Sequence, residues 1–212
     1  MYCFPGLGAS PKIFEYISLP EDQFEIHLLK WKVPLYLEES IEEYATRICE
    51  DIKHQRPILI GVSFGGMIVQ EIGKVIEVEK LIIISSLKSH NELPKRLRLI
   101  RDSKAYKLFP SKIAENLEQY TKFFVGDFLK KRAEMYQMYL SVRDANYLNW
   151  AIYNVLHWKQ ETPREDIIHI HGTNDHVFPH KNINGFIPIK DGPHEMILTK
   201  GKKISKILQE IL

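Results

Sequence analysis

The chain is poor in cysteine: Cys3 and Cys49 are the only two in 212 residues. That count excludes a disulfide framework and a cysteine-built metal centre. Both thiols fall within apolar patterns that suit buried, reduced side chains. An excess of one charge is equally lacking. Lys and Arg total 29 against 27 Asp and Glu, so no broad field draws the protein to nucleic acid or to an anionic membrane. The densest basic stretches are Lys130-Lys131-Arg132, Lys202-Lys203 and the spaced charges from Lys95 to Arg101, and all read as solvated helix faces. No apolar run is long enough to span a bilayer. The N-terminus lacks the basic-then-apolar order of a signal peptide, so the default expectation is a cytoplasmic protein. Internal repeats and low-complexity tracts are also missing.

What remains is ordinary globular material, 44% hydrophobic and 26% charged, enough for one domain or one domain carrying an insertion. Tyr2-Cys3-Phe4 is a short apolar strand that stops at Pro5-Gly6-Leu7-Gly8. Ser10-Pro11 reads as a helix start, with Ser as the cap and Pro at the first helical position. Phe24 to Trp31 predicts a second strand. From Leu37 the residues Ile41, Tyr44, Ala45, Ile48 and Ile52 recur at helical spacing and give one buried face. Pro57 to Val62 predicts a third strand, Gly66 to Ile76 a helix and Lys80 to Ser85 a fourth strand. Apolar strands alternating with helices indicate a parallel sheet covered on both faces.

From about Asn91 to Glu165 the rhythm breaks into helical patterns rich in aromatics, over Ile113 to Phe124, Ala133 to Val142 and Tyr147 to Trp158. Strand signals return at Asp166 to His171 and Phe186 to Ile189. A last helix is expected to bury Ile204, Ile207, Leu208 and Ile211. The expected organisation is an α/β core of residues 1–89 and 165–212 interrupted by a helical cap at 90–164. Most aromatics of that insertion are read as helix-packing residues, with some lining an apolar pocket between cap and core.

Gly61-Val62-Ser63-Phe64-Gly65 fits the pattern Gly-x-Ser-x-Gly, and it falls where a buried strand hands over to a helix. A serine on such a tight turn carries its hydroxyl above the sheet edge. Glycines are needed where side chains would collide, and the helix N-terminus aims free N–H groups at developing negative charge. The plainer alternative is a strand–helix turn without chemistry, or a cradle for an anion.

A serine nucleophile needs a base, and the base needs a group that fixes its tautomer. Asp175 follows the strand ending near Ile170, and His194 follows the next strand in Asp191-Gly192-Pro193-His194. Both therefore belong at the carboxyl edge of the sheet, where open α/β sheets bind ligands. Asp191 is a competing acid, but it lies only three residues before His194 on the same loop, and Asp175 is preferred. For an oxyanion hole the expected donors are the backbone N–H groups of Phe64 and Leu7, with Gly8 next.

Together these segments resemble the α/β-hydrolase superfamily. Residues 61–66 are similar to its nucleophile elbow, 171–179 to its acid loop, 192–194 to its histidine loop and Phe4 to Gly8 to its oxyanion loop. The resemblance implies a mostly parallel sheet of about six strands, because the chain begins at what would be the family's third strand. Pro5 stands where many members carry histidine. The implied activity is cleavage of a small ester or thioester through an acyl-enzyme on Ser63, His194 and Asp175, with no cofactor. A C–C hydrolase, haloperoxidase-like or acyltransferase chemistry, or a non-catalytic binding module on the same fold, are the alternatives. His169, His171, His176 and His180 form a tempting cluster, but no cysteine lies near them. His171 is better read as packing under the acid loop, and no metal is expected.

Overall fold

A computed structural model describes residues 1–108, 139, 141–142 and 144–212. The expected helices Ile113 to Phe124 and Ala133 to Val142 lie almost wholly outside the described residues. The strands are β1 (Tyr2–Phe4), β2 (His27–Leu28), β3 (Ile58–Val62), β4 (Lys80–Ile84), β5 (Ile168–Gly172) and β6 (Ile187–Ile189). The described α-helices are α1 (Ile41–Cys49), α2 (Phe64–Val75), α3 (Lys95–Asp102), α4 (Ala145–His157), α5 (Met196–Thr199) and α6 (Gly201–Ile211).

The six strands form one sheet in the order β2-β1-β3-β4-β5-β6, and every pairing is parallel. Period-two alternation divides the strand side chains between two cores. Phe4, Leu59, Leu81 and Ile83 face α1, α2 and α4. Cys3, Ile60, Val62, Ile82, Ile84, Ile170 and Ile189 face α5, α6 and the 3₁₀ turn Pro11–Phe14. A strand apolar on both sides is stable only between such layers, which is why β3 and β4 read as continuous apolar runs.

Three expectations are corrected. The second strand is two residues long, not eight. Its partner β1 offers only three residues, and upstream the Phe24 N–H is taken by the Pro20 carbonyl in a turn. A very short strand also blunts an exposed sheet edge. The first helix starts at Ile41 because Ser40 and Glu43 close a capping box: Ser40 Oγ accepts from Glu43 N–H (3.1 Å), and the Glu43 carboxylate accepts from Ser40 N–H (2.8 Å). In α6, Ile204 and Leu208 are buried, but Ile207 and Ile211 are only half-buried at its border.

From β1 the chain turns one way to β2 and then crosses back to lay β3 on the other side of β1. The order of strands reverses there, and open α/β sheets bind ligands beyond the carboxyl ends of the strands at such a reversal, here β1 and β3. The Pro5–Gly8 loop and Ser63 leave from those two ends. Both cysteines are free, Cys3 buried and Cys49 half-buried. Burial pushes the Cys3 thiol up to about 12, which makes it inert. No described helix is long and apolar enough to cross a membrane.

Candidate active site

Ser63 sits between β3 and α2 at φ +53° and ψ −120°, a conformation that non-glycine residues rarely hold. Neighbours hold it there. Its N–H donates to Ile84 O (2.9 Å), and its carbonyl accepts from Gly66 N–H (2.9 Å) and Ser86 Oγ (2.7 Å). The glycines make the turn possible. A Cβ on Gly61 would lie 2.3 Å from Gly65 O, and one on Gly65 would lie 2.3 Å from Pro5 O. The second contact also presses the Pro5–Gly8 loop against the start of α2.

His194 Nε2 lies 2.9 Å from Ser63 Oγ, and His194 Nδ1 lies 2.8 Å from Asp175 Oδ2. Residues 112 and 131 positions apart from Ser63 thus meet it in one hydrogen-bonded row. The other carboxylate oxygen of Asp175 accepts from Val177 N–H and Phe178 N–H, both at 2.8 Å. Burial alone would raise the Asp175 carboxyl, but His194, then His171 and the Phe178 N–H, outweigh it and hold the group below its ordinary range. The group facing serine through imidazole is therefore an ionised carboxylate. Asp191 is exposed at φ +54°, with its N–H on Thr173 Oγ1. The acid against His194 is Asp175.

The loop after β1 is tied from three directions. Gly6 O accepts from Ala9 N–H (2.9 Å) and from the Trp31 indole N–H (2.7 Å), and Gly8 N–H donates to Tyr147 Oη (3.0 Å). Gly8 O accepts from Ser141 N–H (2.9 Å). A Cβ on Gly6 would sit 3.6 Å from Ser63 Cβ, so this loop borders the hydroxyl. Among the described residues neither Leu7 N–H nor Phe64 N–H has an acceptor. The Phe64 side chain is buried and stacked on Trp31 (centroids 5.1 Å apart), which leaves its amide as its offering to the site.

Several supporting residues carry no signal that sequence reasoning could use. Trp31 and Tyr147 hold the loop after β1, a role beyond the helix packing or pocket lining expected of the insertion's aromatics. Arg96, placed by sequence on a solvated basic face, donates from Nη2 to His176 O (2.6 Å) and Val177 O (3.1 Å) and ties down the acid loop. His169 and His171 aim their nitrogens at each other rather than at a common point. His169 Nε2 lies 3.1 Å from His171 Nδ1, and His171 Nε2 lies 2.8 Å from Phe178 O and 3.6 Å from Asp175 Oδ2. A carbonyl can only accept, so His171 carries its proton on Nε2 and takes one from His169 Nε2. This is a neutral pair under the acid loop, as expected for His171.

The pair gives a testable pH dependence. Burial, then the neighbouring His171 and Lys88, drives His169 down to about 2, and burial also lowers His171. Below a pH of about 6.5 the unfolded chain takes up protons that the folded chain refuses. Stability is full above that value and lost as pH falls toward the folded one. For His169 alone the loss between pH 6.5 and 4.5 is about 2 kcal/mol. Urea midpoints across this range are expected to fall steeply in the wild type and less in His169→Gln, which keeps an N–H donor. Identical slopes would remove His169 as the cause.

Neither a protein-family model nor a curated protein sequence matches the chain. Solved structures do match it over nearly its whole length. A lipase-esterase related protein from Clostridium acetobutylicum is 18% identical, with a TM-score of 0.64 over 100% of this chain and 93% of that one. A bromoperoxidase from Bacillus anthracis is 18% identical, with a TM-score of 0.66 over 98% and 89%. A thioesterase from the prodiginine biosynthetic pathway of Streptomyces coelicolor is 15% identical, with a TM-score of 0.63 over 100% and 84%. The all-parallel six-strand order and these full-length likenesses lead to one architecture: this protein has the α/β-hydrolase fold.

Proposed function

We propose that the protein is a serine hydrolase that cleaves a small carboxylic ester or thioester through an acyl-enzyme. The observation that carries this reading is the single imidazole within hydrogen-bond reach of both Ser63 Oγ (2.9 Å) and the buried Asp175 carboxylate (2.8 Å). His194 Nε2 takes the proton as Ser63 Oγ attacks the carbonyl carbon, and Asp175 holds the proton on Nδ1 and stabilises the imidazolium. The amides of Leu7 and Phe64 receive the oxyanion. The imidazolium then protonates the departing alcohol or thiol, and a water activated by the same nitrogen releases the acid and restores Ser63. Every step uses side chains and amides of the chain, and no cofactor enters.

Esterase and thioesterase names among the similar structures support an acyl-transfer reading. In this reading the segment 90–164 is a cap on a core of residues 1–89 and 165–212. Support comes from Ser141 N–H and Tyr147 Oη, which bond to Gly8 in the loop beside Ser63. The two free thiols suit a reducing cytoplasm.

A fluorophosphonate probe is expected to label the wild type and to miss Ser63→Ala, with turnover of short-chain aryl esters following the label. Equal labelling of the two proteins overturns the assignment of Ser63. A wild type that neither labels nor turns over any of a panel of short aryl esters favours a binding module on the same fold.

A further inference from the structure

At the rim of the sheet opposite Ser63, three side chains from two distant segments of the chain converge. Glu25 precedes β2, His27 opens it, and His54 lies in the connection between α1 and β3. One ligand atom from each lies within 4.8 Å of the others. His27 Nε2 is 3.3 Å from Glu25 Oε1, and His54 Nε2 is 3.8 Å from Glu25 Oε2. We propose that Glu25, His27 and His54 form a binding site for a divalent cation of the zinc class, held by two imidazole nitrogens and one carboxylate oxygen with water in the fourth position.

The spacing suits that ion. Zinc bonds to nitrogen and oxygen near 2.0–2.1 Å, and tetrahedral geometry then sets neighbouring ligand atoms about 3.3 Å apart. His27–Glu25 already stands at that separation, and His54 Nε2, 3.8 Å from the second Glu25 oxygen and within 4.8 Å of the other ligand atoms, closes the remaining distance by movement of its exposed side chain. His27 Nε2 is buried and has no hydrogen-bond partner among the described residues, although the Glu25 carboxylate is 3.3 Å away. That oxygen is off the line of the ring nitrogen. A metal on the imidazole axis holds its other ligands off the axis in just this way, whereas a plain hydrogen bond would bring the oxygen onto it.

Tyr2 sets both rings. It is buried and pairs with His27 in the β1–β2 register, and its ring stacks on that imidazole (centroids 4.6 Å apart, 18° between planes). Its hydroxyl oxygen lies 2.7 Å from His54 Nδ1 and accepts from Lys53 N–H (2.9 Å). With the His54 proton on Nδ1 and shared with Tyr2 Oη, the lone pair of Nε2 points outward for a cation. Outer partners of this kind fix the tautomer of metal-binding histidines. Two imidazoles and a carboxylate, without thiolate, suit a borderline cation such as Zn²⁺ better than Ca²⁺ or Mg²⁺, which prefer all-oxygen shells. The site would clamp the two-residue edge strand to the loop before β3, far from the serine.

The full-length protein, stripped with a chelator, is titrated with Zn²⁺ against a chromophoric competitor. One ion per chain is expected, with affinity reduced at least tenfold in His54→Ala and in Glu25→Ala and unchanged in His180→Ala, an exposed histidine elsewhere. Both tested side chains are exposed, so the variants should keep the fold, and circular dichroism checks this. Zn²⁺ at a hundredfold excess over its dissociation constant is expected to raise the wild-type melting temperature by about 5 °C or more and to leave that of His54→Ala unmoved. Co²⁺ in the wild type is expected to give the intense visible bands of four-coordination. Equal affinity in wild type and His54→Ala, or no binding at tens of micromolar Zn²⁺, overturns the site. Ser63→Ala is expected to bind Zn²⁺ as the wild type does, so failure here and failure of the hydrolase reading are separable.

Discussion

Ser63→Ala is expected to lower kcat on a short-chain aryl ester by about 10⁵- to 10⁶-fold with KM within a few-fold, and His194→Ala is expected to do nearly the same. The physical ground is the 2.9 Å contact between the two. A hydroxyl that keeps its proton is a poor nucleophile, and an imidazole without the hydroxyl has no attack to assist. In the proposed mechanism the pair works as one device, so the double variant should lose no more than either single one. Residual activity would come from the amides of Leu7 and Phe64 and from substrate binding. The strained backbone at residue 63 is held by Ile84 O, Gly66 N–H and Ser86 Oγ, none of which depends on the serine side chain. Alanine should therefore leave the fold intact, and steady-state kinetics read chemistry alone. A loss below tenfold, or losses that add in the double variant, would take the Ser63–His194 pair out of the mechanism.

The parts of this molecule legible in its sequence are those where one constraint dominates. β3 and β4 are apolar on both faces because helices cover both, and that condition leaves an unbroken run such as Ile58-Leu59-Ile60 or Leu81-Ile82-Ile83-Ile84. The serine turn shows because backbone meets backbone at Gly61 and Gly65, where no side chain fits. Asp175 and His194 show because each follows a readable strand. β2 is shorter than its apolar run suggests because those residues serve other ends: Trp31 holds Gly6 O and stacks on Phe64, while Leu28 is exposed at the sheet edge. Arg96 reads as a solvated charge, since nothing near it in sequence announces the two carbonyls that it reaches about 80 residues later. The cluster of Glu25, His27 and His54 is silent in the sequence for the same reason. Glu25 and His27 are near neighbours in sequence, but His54 reaches them only through strand pairing and a crossover, which no local spacing records.

Asp175→Asn is expected to lower kcat by about 10⁴-fold with little change in the position of His194. The geometry fixes the orientation of the new amide. Oδ1 already accepts two N–H bonds, from Val177 and Phe178, so the asparagine carbonyl must take that place. Its NH₂ then faces His194 Nδ1, which can only accept, and the imidazole proton moves to Nε2. A protonated Nε2 cannot receive a proton from Ser63, so the base is blocked although all three side chains stay in their row. The substitution also removes a carboxylate held below its ordinary range, whose stabilising effect is full above a pH of about 4 and lost below it. The variant is therefore expected to be less stable at neutral pH, with the difference from wild type shrinking in acid. Asp191→Asn supplies the contrast: exposed and away from the imidazole, it is expected to hold kcat within about twofold. A large loss in Asp191→Asn with near-normal rates in Asp175→Asn would transfer the orienting role to residue 191 and overturn the relay described above.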